Sequence, residues 1–257
     1  MTVRDQPWPE GTPCFAELTT PDLDAAEAFY GPLFGWTFDR GPAEMNHYTT
    51  ALLHGHRAAA FNPPMPGAPQ PAGWLTHLST ADATASAARA ASAGAQVLRA
   101  PMPVMEFGTL AVIADPFGAV FALWQAKSDI GAQIVDEPGA MYWNEHMSPH
   151  LAAAQDFYRT LFGYHYDDMS APGFEYATFD VGHGEIGGMG GGSEIARWVV
   201  TFAVADTDAS VAEAVRLGGT VHHEPEDSPY GRIAGIAGPF GERFYLMSTG
   251  RPDTPEA

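Results

Sequence analysis

Thr20-Pro21-Asp22-Leu23-Asp24-Ala25-Ala26-Glu27-Ala28-Phe29-Tyr30-Gly31-Pro32-Leu33-Phe34-Gly35-Trp36 returns later in the chain as Ser148-Pro149-His150-Leu151-Ala152-Ala153-Ala154-Gln155-Asp156-Phe157-Tyr158-Arg159-Thr160-Leu161-Phe162-Gly163-Tyr164. Further pairs keep the same register: Trp74 with Trp198, Asp82 with Asp206, Gly94 with Gly218, Gly108 with Gly231, and Pro116-Phe117-Gly118 with Pro239-Phe240-Gly241. The chain is therefore two copies of one module, differing by a few loop residues. A long unit present only twice predicts two paired half-folds rather than an open solenoid, whose stacks usually need about three or more units. The first module is expected over 12–126, a linker over 127–138, the second module over 139–249 and a tail over 250–257.

Within the repeated stretch, Leu23, Ala26, Phe29-Tyr30 and Leu33-Phe34 recur at helical spacing, and Gly35 is placed to end the helix in a left-handed conformation. The mixed run Cys14 to Leu18 before it, closed by Thr19-Thr20-Pro21-Asp22, reads as a strand handing over to that helix. Tyr48 to Leu53 and Arg57 to Phe61 read as strands joined by a tight turn at His54-Gly55-His56. Trp74 to Ser79 reads as another strand, and Asp82 opens an Ala-rich helix that ends at Gly94. Val97-Leu98, Leu110 to Ile113 and Val120 to Trp124 close the module as strands. The expected order is β-α-β-β followed by β-α-β-β-β, repeated from Met141 to Ser248. In the second copy the run Gly187-Gly188-Met189-Gly190-Gly191-Gly192 marks a place where the backbone must bend or lie close to something. The polar linker, with Asp129, Gly131, Asp136, Glu137 and Pro138, is expected to be an exposed crossing segment.

A chain of 257 residues has room for two modules with a sizeable core. Twelve Lys+Arg against 31 Asp+Glu give a formal charge of -19, which repels phosphate backbones and anionic lipid surfaces. Nucleic-acid and membrane partners are not expected. The first ten residues lack the apolar core of a signal peptide, and no stretch approaches the ~18 apolar residues of a spanning helix, so a cytoplasmic protein is expected, as a monomer or homodimer. The single cysteine, Cys14, excludes an intrachain disulfide and a zinc–cysteine site and reads as a small buried hydrophobe. No Gly-x-Gly-x-x-Gly follows a strand into a helix, and no Gly-x-Ser-x-Gly occurs; nucleotide binding and a serine nucleophile have no motif behind them.

The combination of Glu17-Leu18-Thr19-Thr20-Pro21-Asp22, Phe29-Tyr30, Leu33-Phe34-Gly35-Trp36, the Trp74 to Asp82 spacing and Asp115-Pro116-Phe117-Gly118 resembles the vicinal oxygen chelate superfamily, which includes glyoxalases, extradiol dioxygenases and bleomycin-resistance proteins. The resemblance covers both copies and is closest to two-module bacterial proteins of hydroxylase-like or 27 kDa-antigen-like type. It implies an α+β fold of tandem glyoxalase-like modules, each a pair of βαβββ units forming a half-open barrel around a cleft. Metal-using members carry a His, Gln or Glu in a module's first strand, a His or Glu in the strand before its second helix and a Glu in its last strand. Those positions fall here on Phe15, Leu75 and Ala122, and on Trp143, Val199 and Tyr245, none of which is a ligand; an open catalytic site needs about three protein donors. A register shift of two residues keeps the same strand face and offers Glu17, His77 and Trp124, and Glu145, Thr201 and Met247. Were the cleft shared between modules, Glu17, His77 and Glu145 would form a set suited to Fe(II), Mn or Zn. The expectation is no cofactor, with one divalent metal as the alternative.

Glu17 and Glu145 are matched by the repeat and sit among apolar neighbours, where a desolvated carboxyl becomes a candidate acid or base; each could equally be a hydrogen-bonded structural group. His77 is a candidate partner, although a lone histidine in a strand is more often a satisfied core residue. His146 and His150 break the repeat, standing where the first copy has Leu18 and Asp22. Alternation directs His146 toward the helix layer as a structural histidine, and His150 falls in the first turn of a helix. His47, His54, His56, His183, His222 and His223 fall in turns or strand ends and receive no role. Phe15, Tyr48, Trp74, Phe107, Trp124, Trp143, Tyr176, Tyr230, Tyr245 and Met247 are expected to line two clefts with aromatic and thioether surface suited to a flat, hydrophobic aromatic ligand. The expected function is a metal-independent tailoring enzyme of bacterial secondary metabolism, with Glu17, His77 and Glu145 as acid-base residues acting on an aromatic, polyketide-type intermediate. The alternatives are a protein that sequesters a toxic metabolite and a metal-dependent lyase or dioxygenase.

Overall fold

The structure is a computed structural model, and it describes residues 3–64 and 72–248. Each copy supplies one eight-stranded mixed sheet. In the first copy β1 (Pro13–Thr19), α1 (Leu23–Phe34), β2 (Thr37–Arg40), β3 (Thr49–Leu53) and β4 (His56–Asn62) form one βαβββ unit. The second unit is β5 (Gly73–Ser79), α2 (Ala83–Ser92), β6 (Gln96–Val104), β7 (Gly108–Ala114) and β8 (Val120–Ala126). The second copy repeats this as β9 (Met141–Met147), α3 (Leu151–Phe162), β10 (His165–Asp168), β11 (Tyr176–Asp180) and β12 (Glu185–Gly190), then β13 (Arg197–Ala203), α4 (Thr207–Arg216), β14 (Thr220–Ser228), β15 (Gly231–Ala237) and β16 (Arg243–Ser248). The sheet orders are β2-β3-β4-β1-β5-β8-β7-β6 and β10-β11-β12-β9-β13-β16-β15-β14. The central pairs β1/β5 and β9/β13 are antiparallel, and the outer strands do not meet, so each sheet is a half-open barrel.

β2 and its copy β10 go beyond the expected order and do not show in the sequence pattern, because Thr37–Arg40 and His165–Asp168 are short, polar and largely exposed. They are edge strands held by antiparallel pairing to β3 and β11, an interaction of backbone that side-chain pattern does not report. Gly35 and Gly163 end α1 and α3 at φ 71° and 75°, as the glycine signal requires. The Asp22, Asp82 and Asp206 side chains accept hydrogen bonds from first-turn backbone N–H groups of their helices. His150 takes the same N-cap place on α3 without a side-chain bond.

The two modules close on each other within one chain. Helix α1 packs its buried face of Ala26, Phe29, Tyr30 and Phe34 against Phe202, Phe244 and Leu246 of the second copy, and α3 packs Ala154, Phe157, Tyr158 and Leu161 against Leu78, Phe121 and Leu123 of the first. A matched polar anchor holds each crossing. The Tyr30 hydroxyl donates to Glu242 Oε1 at 2.7 Å and accepts from Trp74 Nε1 at 3.3 Å. The Tyr158 hydroxyl donates to Asp115 Oδ2 at 3.2 Å and accepts from Trp198 Nε1 at 2.8 Å. The carboxylate has moved between copies: Asp115 opens the first Asp-Pro-Phe-Gly turn, whereas Gly238 opens the second and Glu242 follows it. A Cβ on Gly238 would lie 2.1 Å from Glu242 Oε1, so glycine is what lets the longer side chain reach back.

His146, on β9, donates through Nε2 to Asp115 Oδ2 at 2.7 Å, and both side chains are completely buried. It is the interior, structural histidine that alternation predicts. The linker differs from its expectation. Ala132 and Ile134 are fully buried, the Ala132 N–H donates to the Cys14 carbonyl and the Gln133 N–H to the Arg57 carbonyl. The segment wedges in beside β1 and β4 because its small apolar residues alternate with the polar ones that suggested exposure. No helix among the described residues is long and apolar enough to cross a membrane.

Candidate active site

Alternation along the central strands sorts the candidates onto two faces. Asn144 of β9 and Thr76 of β5 meet across the module interface at 2.9 Å, so their strand neighbours point the other way, into outward-facing clefts. The first cleft receives Phe15 and Glu17 from β1, which pair with His77 and Leu75 of β5, and Trp124 from β8. The second receives Trp143 and Glu145 from β9, which pair with Thr201 and Val199 of β13, and Tyr245 and Met247 from β16. Glu17 and His77 thus share a cleft, and Glu145 lies in the other; the three do not form the joint set that a shared cleft would allow. Trp74 belongs to neither cleft: it faces the interface, 5.0 Å from the Phe202 ring, because it stands one residue from Leu75 and takes the opposite face.

In the first cleft burial raises the Glu17 carboxyl above its ordinary range, and hydrogen bonds from Tyr48 and Asn62 with the charges of Arg57 and Arg99 offset this only in part. The Asn62 amide reaches Glu17 Oε1 at 3.3 Å. Arg57 was not singled out from sequence, and it organises the site. Its Nη2 donates to the Tyr48 hydroxyl at 2.9 Å, its Nη1 pairs with Asp129 Oδ2 at 2.5 Å, and its guanidinium lies 4.6 Å over the Phe15 ring. Asp129 comes from the buried linker, whose carbonyl also accepts from Trp124 Nε1 at 2.9 Å. His77 sits edge-on to Phe15 at 5.7 Å; burial and then Arg57 push its imidazole down to about 3, so it is neutral at physiological pH. Two buried nitrogens here, Arg57 Nε and His77 Nε2, have no hydrogen-bond partner among the described residues. Unpaired buried polar groups are costly, and a polar ligand atom that reached either would offset that cost. Phe107, in the turn between β6 and β7, packs at the margin of the core beside this cleft.

The second cleft keeps the carboxylate and changes its company. The Tyr176 hydroxyl donates to Glu145 Oε1 at 2.5 Å and accepts from Trp143 Nε1 at 2.9 Å. Burial raises the Glu145 carboxyl, with Tyr176 opposing. The glycine run of β12 makes this network fit: a Cβ on Gly188 would lie 1.8 Å from the Tyr176 hydroxyl, and one on Gly190 would lie 2.7 Å from Met147. The backbone does lie close to something, as the glycines imply. Glu185 stands at the Arg57 position and Thr201 at the His77 position, so the cation and imidazole of the first cleft have no counterparts at those two positions. Phe174 stacks on Tyr176 at 5.4 Å and, with Tyr230, is exposed at the mouth.

The fold and its repeat identify the family: a glyoxalase-like domain model matches residues 15–124 and 145–247, and the chain belongs to that family, the glyoxalase-like branch of the vicinal oxygen chelate fold. Among individual relatives, it is 36% identical to the Mycobacterium tuberculosis protein named "Putative glyoxylase CFP32" over 93% of this chain and 95% of that one. It is also 36% identical to the "Anthracycline biosynthesis protein DnrV" of Streptomyces peucetius over 92% of this chain and 93% of that one. Among solved structures, the Mn(II)-bound glyoxalase from Novosphingobium aromaticivorans superposes with a TM-score of 0.67 at 14% identity, over 93% of this chain and 83% of that one. The 2,3-dioxygenase LapB from Pseudomonas sp. KL28 also superposes at 0.67, with 16% identity over 96% of each chain.

The manganese of that distant glyoxalase raises the question of a metal here, and the residues present do not fit one. Phe15, Leu75 and Ala122 in the first cleft, and Trp143, Val199 and Tyr245 in the second, offer no carboxylate or imidazole. Glu17 and His77 are two donors at most, set beside a guanidinium whose charge opposes a cation. Among the described residues no three His, Cys, Asp or Glu side chains converge as a metal-holding group.

Proposed function

We propose that the chain is a tailoring enzyme that works without a metal, using acid-base chemistry in its first cleft on an aromatic, polyketide-type intermediate. The observation that carries this reading is the juxtaposition of a desolvated carboxyl, Glu17, with a fixed guanidinium, Arg57, and two unpartnered buried nitrogens. Glu17 takes a proton from an acidic C–H or a phenolic O–H, and the electron pair left behind moves onto the substrate oxygen. Arg57 Nε, and His77 in the tautomer that carries hydrogen on Nε2, donate to that oxyanion, as preorganised donors do in other enzymes. The Asp129 pair and the Tyr48 bond fix the guanidinium in place, and the Phe15 face supplies an apolar floor. The substrate class is supported by the name of the Streptomyces relative, which ties that protein to anthracycline biosynthesis, and by the aromatic lining. Glu145, locked by Tyr176 and Trp143, serves as a structural acid in the second cleft.

The test is incubation of the full chain, in the presence of a chelator, with a panel of phenolic and enolisable polycyclic aromatics, followed by mass analysis of the recovered ligand. Conversion of one member is the expected result. Tight binding with every ligand recovered unchanged would replace catalysis by sequestration.

A further inference from the structure

The second cleft carries a cluster of basic groups that the acid-base reading does not use. Arg197 and Arg243 lie on the parallel neighbours β13 and β16, where Thr201 pairs with Tyr245. Arg197 shares the face of Val199 and Thr201, and Arg243 that of Tyr245. Both therefore project into the cleft that holds Glu145, which pairs with Val199. Neither is held in an ion pair among the described residues, as is also true of Arg4, Arg99 and Lys127, whereas Arg40, Arg57, Arg89, Arg159, Arg216 and Arg232 are.

A third group completes the cluster. The His222 ring lies directly on the backbone of Gly235, where a Cβ would come within 2.4 Å of it, and sits edge-on to Tyr245 at 5.4 Å. Its Nε2 is buried and has no hydrogen-bond partner among the described residues. The charges of Arg243 and Arg197 act on this imidazole, and those of Glu145, Arg197, Arg243 and Glu226 on the Tyr245 phenol. His223 is occupied by Glu226 at 3.0 Å. The first copy has Gly73, Val120 and Ala122 where the second has Arg197, Arg243 and Tyr245, so the cluster is a feature of the second module and not of the repeat. Around it stand Trp143, Tyr176 and the exposed Phe174 and Tyr230.

From this juxtaposition we infer that the second cleft is a binding site for an aromatic carboxylate, its anionic group held by Arg197, Arg243 and His222 and its ring laid against Tyr245 and the neighbouring aromatic side chains. Two guanidiniums on one face of a sheet beside aromatic side chains suit a planar carboxylate, which arginine binds through paired charge-assisted hydrogen bonds. The site does not depend on the chemistry of the first cleft.

The test is a calorimetric titration of the full chain with anthraquinone-2-carboxylate and with its neutral carboxamide, at low and high salt. The carboxylate is expected to bind at least about tenfold more tightly, with a preference that fades as salt screens it. In the Arg197→Gln/Arg243→Gln double variant, with its near-UV circular dichroism unchanged, that preference is expected to disappear while carboxamide binding persists. Equal affinity for the two ligands would overturn the proposal. So would a preference that survives in the double variant, which would move the anion site elsewhere, or displacement of the carboxylate by an equal concentration of inorganic phosphate, which would reduce the site to a general anion patch.

Discussion

Replacing Glu17 by glutamine is expected to lower turnover by about 10²- to 10⁴-fold, the usual contribution of a positioned general base, with KM changed only a few-fold. The substitution keeps the shape and one amide oxygen able to accept from Asn62, and it removes the ability to take a proton. Glu145→Gln is the internal control, and it is expected to retain most of the parental rate, because that carboxyl is tied to Tyr176 and has Glu185 and Thr201 where the first cleft has Arg57 and His77. The pH profile carries a second signature. Burial raises the Glu17 carboxyl, and a base works in its deprotonated form, so the parental rate should rise with pH through an apparent pKa above the ~4.3 of an exposed glutamate. That limb should vanish in Glu17→Gln. A steady-state rate and its pH dependence, measured for the three proteins, check all of this; a parental rate in Glu17→Gln removes the residue from the mechanism.

Asp115→Ala is expected to be the most destabilising single change in the interface between the modules, at about 3 kcal/mol or more, because it leaves several buried donors without their acceptor at about 1–3 kcal/mol each. The carboxylate receives His146 and Tyr158 on one oxygen and the Phe117 and Ala119 backbone N–H groups on the other. Burial by itself would raise its pKa, but the hydrogen bond and attraction of His146 and the two backbone donors outweigh that and hold it below the ordinary aspartate range. Because the folded value is depressed, the stability it contributes is complete above the unfolded aspartate value of ~3.9 and is lost as pH falls through the folded value. Urea unfolding of the parent and Asp115→Ala should therefore differ most near neutral pH and converge in acid. Glu242→Gln at the matching anchor, where burial leaves the carboxyl raised and no histidine stands by, is expected to cost less. Equal losses at the two anchors would mean that His146 adds nothing to the first.

Much of this architecture is written in the repeat. The helices show in Leu23 to Phe34 and its copy because their apolar spacing has one period and their ends carry glycine. The two buried carboxylates show because Glu17 and Glu145 stand at the same register in otherwise apolar strands. What is hidden depends on contacts between segments far apart in the chain. Arg57 reads from sequence as the polar start of a strand after a tight turn; only the folded linker brings Asp129 to it, and only the curl of β4 lays it over Phe15. Trp74 reads as cleft lining because it is aromatic and matched to Trp198, yet a one-residue change of face sends it to Tyr30 in the interface. His222 and His223 look equivalent as neighbours in a strand, but the bare backbone of Gly235 takes the first ring into the cleft and Glu226 takes the second.

The central claim is that Glu17 moves a proton in a cleft that needs no metal. Its most direct test is uptake of deuterium from heavy water into an enolisable aromatic polyketide, by full-length protein stripped with chelator and verified metal-free by elemental mass spectrometry. The predicted result is label incorporation by the stripped parental protein and by Glu145→Gln, and none above background by Glu17→Gln. Incorporation that is lost on stripping and restored by manganese, iron or zinc, or that continues unchanged in Glu17→Gln, would contradict it.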